Sequence, residues 1–194
     1  MVMHQIKTAI QNMIDASDTK LDTFLSFCNI KTFKRKAFLS LADSVCNEVF
    51  FINKGLTRSI LIDKDGVEHT THFTLENQFI ADYASFLQGL SSIYAIQALE
   101  NVEVIVMPRK AIDWGYKNLN QGDKLGRTIA EYYFIYNDNR IKALYMLHPK
   151  ERYEAIDSIF PNIHNRVPQH MIASYLGITP IHLSRLKKSN HAKV

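Results

Sequence analysis

The sequence predicts an α+β fold, with an N-terminal antiparallel β-roll and its flanking helices, then a long pairing helix, then a C-terminal helix-turn-helix. Three observations carry that prediction. Between about Asn29 and Met107 the pattern is one of short β-branched or apolar runs broken by turn residues, which is strand signal. From Asp123 to Leu147, 25 residues run without proline and with one glycine, Gly126, while apolar side chains recur every three or four positions. From Val167 to Lys188 two short helical patterns meet across Gly177. The domains follow: a β-roll domain at 1–122, a dimerisation helix at 123–147 and a helix-turn-helix domain at 148–194.

Residues 4–14 place Ile6, Ile10, Met13 and Ile14 at helical intervals. Ser17 or Asp18 can cap a second helix whose inner face is Leu21, Phe24, Leu25 and Cys28. Strands are expected at 49–53 (VFFIN), 56–62 (LTRSILI), 67–73 (VEHTTHF), 92–99 (SIYAIQAL) and 102–107 (VEVIVM). Lys54-Gly55, Asp65-Gly66 and Glu100-Asn101 are the turns between them, Asp65-Gly66 being the strongest because a tight hairpin turn needs positive φ. Pro108 closes the roll, and 109–119 (RKAIDWGYKNL) forms a short helix before the breaker Gly122.

The helix at 123–147 would be about 37 Å long. One stripe on it, Leu125, Ile129, Tyr132, Tyr136, Asn139, Ala143 and Met146, steps alternately by four and three. That mean spacing of about 3.5 is coiled-coil spacing, so these residues are the expected dimer seam, with Asn139 as a polar register point; the plainer alternative is a helix packed on its own domain. Tyr133, Leu144 and Leu147 form a second apolar stripe for packing within the chain. His148-Pro149 breaks the helix, and 151–160 (ERYEAIDSIF) makes one more before Pro161.

In the C-terminal unit Met171, Ile172, Tyr175 and Leu176 form one apolar helix face, with Ala173 small where two helices would cross. Gly177 can end that helix in the left-handed conformation; Thr179 can cap the next, with Pro180 at its first position. Leu183 and Leu186 face the first helix, which leaves Ile181, His182, Ser184, Arg185 and Lys188 outward. This is the pattern of a DNA-reading pair, with the second helix as reader. Charge agrees. From Ser158 onward Arg166, Arg185, Lys187, Lys188 and Lys193 are basic and no residue is acidic, so these five exceed the whole net charge of +4 and leave residues 1–157 at −1. The plainer alternative is a helical hairpin with a solvated basic tail.

The totals, 46% hydrophobic and 22% charged, suit a globular soluble chain with a real core. No apolar run reaches membrane-spanning length and no signal peptide is evident, so a cytoplasmic protein with no membrane partner is expected. Cys28 and Cys46 lie in apolar surroundings and read as reduced core residues.

With these elements in place the chain resembles the Crp–Fnr family of transcription regulators over nearly its whole length. The resemblance is most specific in ERY (151–153), RVPQHMIASYLGIT (166–179) and LSRLKK (183–188), which are similar to the branch common in Bacteroidetes. FINKGLTR (51–58), FIADYASFLQGLSS (79–92) and ALE (98–100) are similar to the family's cyclic-nucleotide-binding-like domain. The resemblance implies a homodimer on double-stranded DNA, with RNA polymerase and a small-molecule effector as further partners. By it, Arg185 stands where the family reads a base, and Gln169, Thr179, Ile181, His182, Ser184, Lys187 and Lys188 complete the DNA-facing set. A guanidinium there can pair bidentately with guanine, worth about 1–3 kcal/mol of discrimination. Two further base-facing positions look like Pro180 and Ile181, so the operator read should differ from that of the best-known members. The family's β-hairpin wing has no counterpart in the six residues after Lys188.

The family's phosphate cassette looks degenerate across Phe79, Ile80, Ala81, Asp82, Ser91, Ser92 and Ile93. Ala81 stands for its Gly, Asp82 for its Glu and Ser92-Ile93 for its Arg-Ser pair. Without the arginine a buried phosphate has no partner, so weak or absent cyclic AMP binding is expected, with the pocket altered for another small molecule or none. No cofactor is implied. Two other classes compete: a metal-dependent small-barrel enzyme and a protein-interaction module. His69 and His72 could suggest metal ligands, but residues three apart on a strand point to opposite faces. No P-loop, nucleophile elbow or H-E-x-x-H motif occurs, and Glu151, Arg152 and Tyr153 read as helix-start and packing residues, so no catalytic set is assigned.

Overall fold

The computed structural model describes residues 3–191. Two short helices lead, α1 (His4–Gln11) and α2 (Asp18–Ser26). The Ser17 hydroxyl accepts from the Lys20 N–H to cap α2, as the capping residue before an apolar stripe should. Eight strands follow: β1 (Asn29–Phe33), β2 (Phe38–Ser40), β3 (Glu48–Lys54), β4 (Thr57–Ile62), β5 (Glu68–Thr74), β6 (Phe79–Ile80), β7 (Tyr94–Ala98) and β8 (Val102–Pro108). A short helix, α3 (Tyr83–Gln88), interrupts them. The strands make two four-stranded sheets, ordered β1-β8-β3-β6 and β2-β7-β4-β5. All named pairings are antiparallel. The five strands expected from periodicity are present within two residues at each end. β1, β2 and β6 are shorter or more exposed, and carry little alternating signal of their own.

Helices resume with α4 (Arg109–Asn118), α5 (Gly122–Met146), α6 (Pro149–Ile159), α7 (Ile163–Arg166), α8 (Gln169–Leu176) and α9 (Pro180–His191). α4 and α5 cross backbone to backbone: a Cβ on Gly122 would lie 2.3 Å from the Gly115 carbonyl oxygen, so only glycine fits there. Two apolar clusters organise the rest. The first joins α1, α2 and α4 to Phe51, Ile105 and Met107 on the roll. Cys28 sits in it with its thiol pushed up to about 12 by burial, an unreactive core residue. The second joins Leu56, Phe73 and Leu99 of the roll to Phe160, Val167, Ile172, Tyr175, Leu176 and Leu183 of the C-terminal helices. The helix-turn-helix unit therefore shares its core with the roll.

The seam read on α5 needs correction. Leu125 is buried and Ile129 packs beside it on the first cluster, while Tyr136 packs into the second, so these three are spent inside the chain. Ala143 is half-buried; Tyr132, Asn139 and Met146 are exposed. The physical reason is that α5 is apolar on more than one face, and the roll and α8 claim the face that carries Leu125, Ile129, Tyr133, Tyr136 and Arg140. Phe134, nine residues and so half a turn round from Leu125, is 75% exposed, and Ile141 and Tyr145 extend its stripe at 54% and 87%. Tyr132, Ile135 and Met146 make a second exposed apolar row, at 52%, 57% and 78%.

Candidate functional site

α8 and α9 meet as the sequence predicts. Gly177 ends α8 at φ 66°, and the Ile178 N–H returns to the Ala173 carbonyl, which closes the helix end. The Thr179 hydroxyl accepts from the His182 N–H at 3.2 Å and caps α9. Leu183 and Ala173 are buried at the crossing, and Leu186 is half-buried beside it. The opposite face of α9 presents Ile181, His182, Ser184, Arg185 and Lys188 to solvent, with Lys187 half-buried. Arg185 makes no ion pair among the described residues. Thr179 is exposed at the turn. Gln169 departs from expectation: it is half-buried, and its Oε1 is buried without a hydrogen-bond partner. Lys193 lies outside the described residues.

Arg166 is a second correction. Counted in the sequence among the basic residues of the DNA-facing end, it is instead bound to the roll. Its Nε and Nη2 donate to Glu100 at 2.8 Å each, and its Nη1 and Nη2 to Glu76 at 3.0 and 2.7 Å. The remaining joints are also polar. The Ser174 hydroxyl of α8 accepts from the Thr70 N–H of β5 at 2.9 Å. Arg152 donates to the Leu176 carbonyl at the end of α8 and to the Leu147 carbonyl at the end of α5, so one side chain satisfies two helix C-termini. The Glu151 carboxylate accepts from the His148 N–H at the start of α6. The assignment of ERY to helix start and packing therefore holds.

Between α5 and the sheets lies a cavity of about 600 Å³. Phe79, Ile80, Ala81 and Asp82 of the cassette line it; Ser91, Ser92 and Ile93 do not. Asp82 caps α3, accepting from the Ser85 N–H at 3.2 Å and from the Ser92 hydroxyl at 2.6 Å, both oxygens thus engaged. Ser92 is buried under it, and Ile93 points out at 66% exposure. No cation joins this group among the described residues. A phosphate at the cassette would face the Asp82 carboxylate with no cassette cation to balance it, so the cassette residues do not fit a cyclic nucleotide's phosphate.

Two residues the sequence did not mark as ligand-facing stand out. His72, on β5, is 8% exposed, and neither ring nitrogen has a partner. It sits edge-on to Tyr136 at 4.5 Å and to Tyr133 and Phe160 at 5.7 Å each. Burial, with the charge of Arg140 beside it, pushes its imidazole down to about 3, so it is neutral near pH 7. Arg140, on α5, lines the same cavity; its Nη2 donates to the Tyr175 carbonyl at 3.3 Å while its buried Nε has no partner. Arg140 falls four residues after Tyr136 on the face that is turned inward, one position off the stripe read from the sequence. His69 points away, pairing at the surface with Asp63 at 2.7 Å, which is the alternation expected of a strand. Among the described residues no three His, Cys, Asp or Glu side chains gather as a metal site would need.

A family model described as the cyclic nucleotide-binding domain matches residues 30–118. No curated protein sequence matches the chain. Among solved structures it is similar to FixK2 of Bradyrhizobium japonicum, at 16% identity and TM-score 0.72, covering 86% of this chain and 85% of that one. It is similar to CLP of Xanthomonas campestris, described as a c-di-GMP responsive global regulator, at 10% identity and TM-score 0.71, covering 91% and 93%. A transcriptional regulator assigned to the Crp/Fnr family from Eubacterium rectale aligns at 12% identity and TM-score 0.71, covering 92% and 85%. At such identities the shared property is the fold. No helix among the described residues is long and apolar enough to cross a membrane.

Proposed function

We propose that this chain, which carries a cyclic nucleotide-binding domain at residues 30–118 on the Crp/Fnr fold, is a dimeric transcription regulator that reads duplex DNA with α9. The observation that carries the reading is the exposed face of α9. It offers Arg185 flanked by His182, Ser184 and Lys188, on a helix with no acidic residue, held by the buried Leu183. A helix so mounted can enter a major groove with its N-terminal half against base edges, while Lys187 and Lys188 meet phosphate.

Pairing follows through α5. Phe134, Ile141 and Tyr145 form the stripe that a second copy would cover, and two α9 helices would then address two half-sites. Phe134 and Ile141 also line the cavity, so a second copy would cover that side of the ligand space. The β-roll acts as the effector domain, and its ligand is not cyclic AMP at micromolar affinity, because Ser92-Ile93 stands where the phosphate's arginine would be and Asp82 beside it is acidic.

Selection of bound fragments from a random duplex pool with the full chain tests the reading. The expected result is a two-fold symmetric consensus with half-sites about one helical turn apart, lost in Arg185→Ala. Binding with no consensus, and with no steep fall in affinity as salt rises, refutes it.

A further inference from the structure

The cavity between the β-roll and α5 is built for a different head group. Its walls are apolar, with Ile80, Ile96, Ile112, Ile129 and Phe134 among them, and its volume of about 600 Å³ suits a small organic molecule. Three unsatisfied polar atoms belong to two of its lining residues: both ring nitrogens of His72 and the Nε of Arg140 are buried without a hydrogen-bond partner. Buried polar atoms are nearly always paired, and two of these three are donors, the Arg140 Nε and the one N–H of neutral His72, so they point to an absent acceptor.

The chemistry of that acceptor can be narrowed. Arg140 is a permanent cation, and among the described residues no carboxylate of the chain pairs with it; the nearby Asp138 is engaged by Lys142 at 2.5 Å. Neutral His72 offers one N–H. A guanidinium with a free Nε and a neighbouring imidazole N–H together match an acceptor-only, planar carboxylate. A cationic ligand would be repelled by Arg140, and the single acid of the cavity wall, Asp82, already accepts from Ser85 and Ser92.

We propose that the cavity binds a small monocarboxylic acid with an aromatic or aliphatic body, its carboxylate held by Arg140 and His72. This rests on the reading of the roll as the effector domain. The site reaches the DNA-reading unit directly. Arg140 also holds the Tyr175 carbonyl and lies 5.0 Å from the Tyr175 ring, while the Tyr136 and Tyr175 hydroxyls are 3.0 Å apart. Tyr175 belongs to α8, the helix against which the reader packs. A carboxylate that draws the guanidinium toward His72 competes with that contact and changes how α8 is seated.

The test is calorimetry of the full chain with benzoate, 3-phenylpropanoate and hexanoate, each beside its amide, with cyclic AMP as a further probe. At least one acid should bind at sub-millimolar Kd and at least tenfold more tightly than its amide. Arg140→Met should remove that preference while leaving amide binding in place. His72→Phe, which keeps the aromatic packing, should weaken the acid by at least threefold and serves if Arg140→Met fails to fold. Equal binding of acid and amide, no binding by any of the three acids, or preference for acid retained in both variants overturns the proposal. Duplex selection on the same sample separates the two readings: a retained consensus without acid binding sinks only this site, and acid binding without a consensus sinks only the DNA reading.

Discussion

The joint between the roll and the C-terminal helices should be measurable through Arg166. Replacing it with Met keeps the aliphatic stem and deletes four charge-assisted hydrogen bonds, two to Glu76 and two to Glu100. The magnitude lies between two limits. An exposed ion pair contributes about 0–1 kcal/mol, whereas breaking a buried one costs about 3–5 kcal/mol. Arg166 is 23% exposed and its partners 33% each, so the intermediate figure of about 2 kcal/mol applies. Much of that cost comes from leaving Glu76 and Glu100 facing each other uncompensated. For a chain of this length it corresponds to a fall of roughly 4–8 °C in the melting midpoint. Adding Glu76→Gln and Glu100→Gln to Arg166→Met should recover part of the loss. The gap between wild type and Arg166→Met should also depend on pH. Burial works against ionisation of Glu76, but the hydrogen bonds from Arg166 and from the Gly55 N–H hold its carboxyl below its ordinary 4.5. A group depressed in the folded state stabilises above its unfolded value, and that stability is lost as pH falls through the folded one. The gap should therefore be full at pH 7 and close as pH falls below the ordinary carboxylate value of 4.5 through the depressed one. Thermal melts followed by circular dichroism decide the matter: a shift under 1 °C, or a triple variant no more stable than Arg166→Met, would sink the reasoning.

Other expectations concern single sites. His72 is neutral when folded and titrates near 6.5 when unfolded, so below pH 6.5 the unfolded chain takes up the extra proton. Stability should fall by about 1.4 kcal/mol per pH unit between 6.5 and 3, roughly 2 kcal/mol by pH 5, and urea titrations of His72→Phe should lack that slope. Arg185→Ala should lose about 1–3 kcal/mol on the selected operator and almost nothing on random duplex, as measured by fluorescence anisotropy. Lys188→Ala should weaken all duplexes alike and lower the salt slope by about 1, whereas Arg166→Met should leave that slope unchanged because its guanidinium is already bound. Phe134→Glu with Ile141→Glu should give folded monomers in light scattering whose melting temperature no longer depends on protein concentration, while Ile129→Glu should unfold the chain before it dissociates it.

Most of the fold was legible because its signals were local. Asp65-Gly66 turns one hairpin, with Gly66 at φ 77°, and Thr179 with Pro180 starts α9 within a single turn of chain. Such features are decided by the conformational preferences of a few adjacent residues. β6 and α3 were not legible, since two residues of strand and six of helix carry no period. β6 exists because it pairs with β3, some thirty residues away, and α3 because Asp82 caps it with Ser92 bound to the same carboxylate.

α5 shows why the site was harder to read than the fold. Its apolar side chains fall on two opposite faces, and a period near 3.5 says only that a face exists, not what covers it. The deciding fact is external to the helix. Phe79 offers a carbonyl to the Tyr133 hydroxyl, Tyr175 offers another to Arg140, and the first core cluster takes Leu125 and Ile129. Once those three claims are made the helix cannot rotate, and two exposed apolar rows are left for a second copy, Phe134, Ile141 and Tyr145 on one side and Tyr132, Ile135 and Met146 on another. The same constraint creates the cavity's polar end. Arg140 is drawn inward by the Tyr175 carbonyl, and because that carbonyl takes one Nη2 hydrogen, the Nε remains buried and unused beside His72. An arginine on an inward helical stripe is expensive to desolvate, and it has no carboxylate partner among the described residues, so a ligand that supplies one explains its position better than packing does.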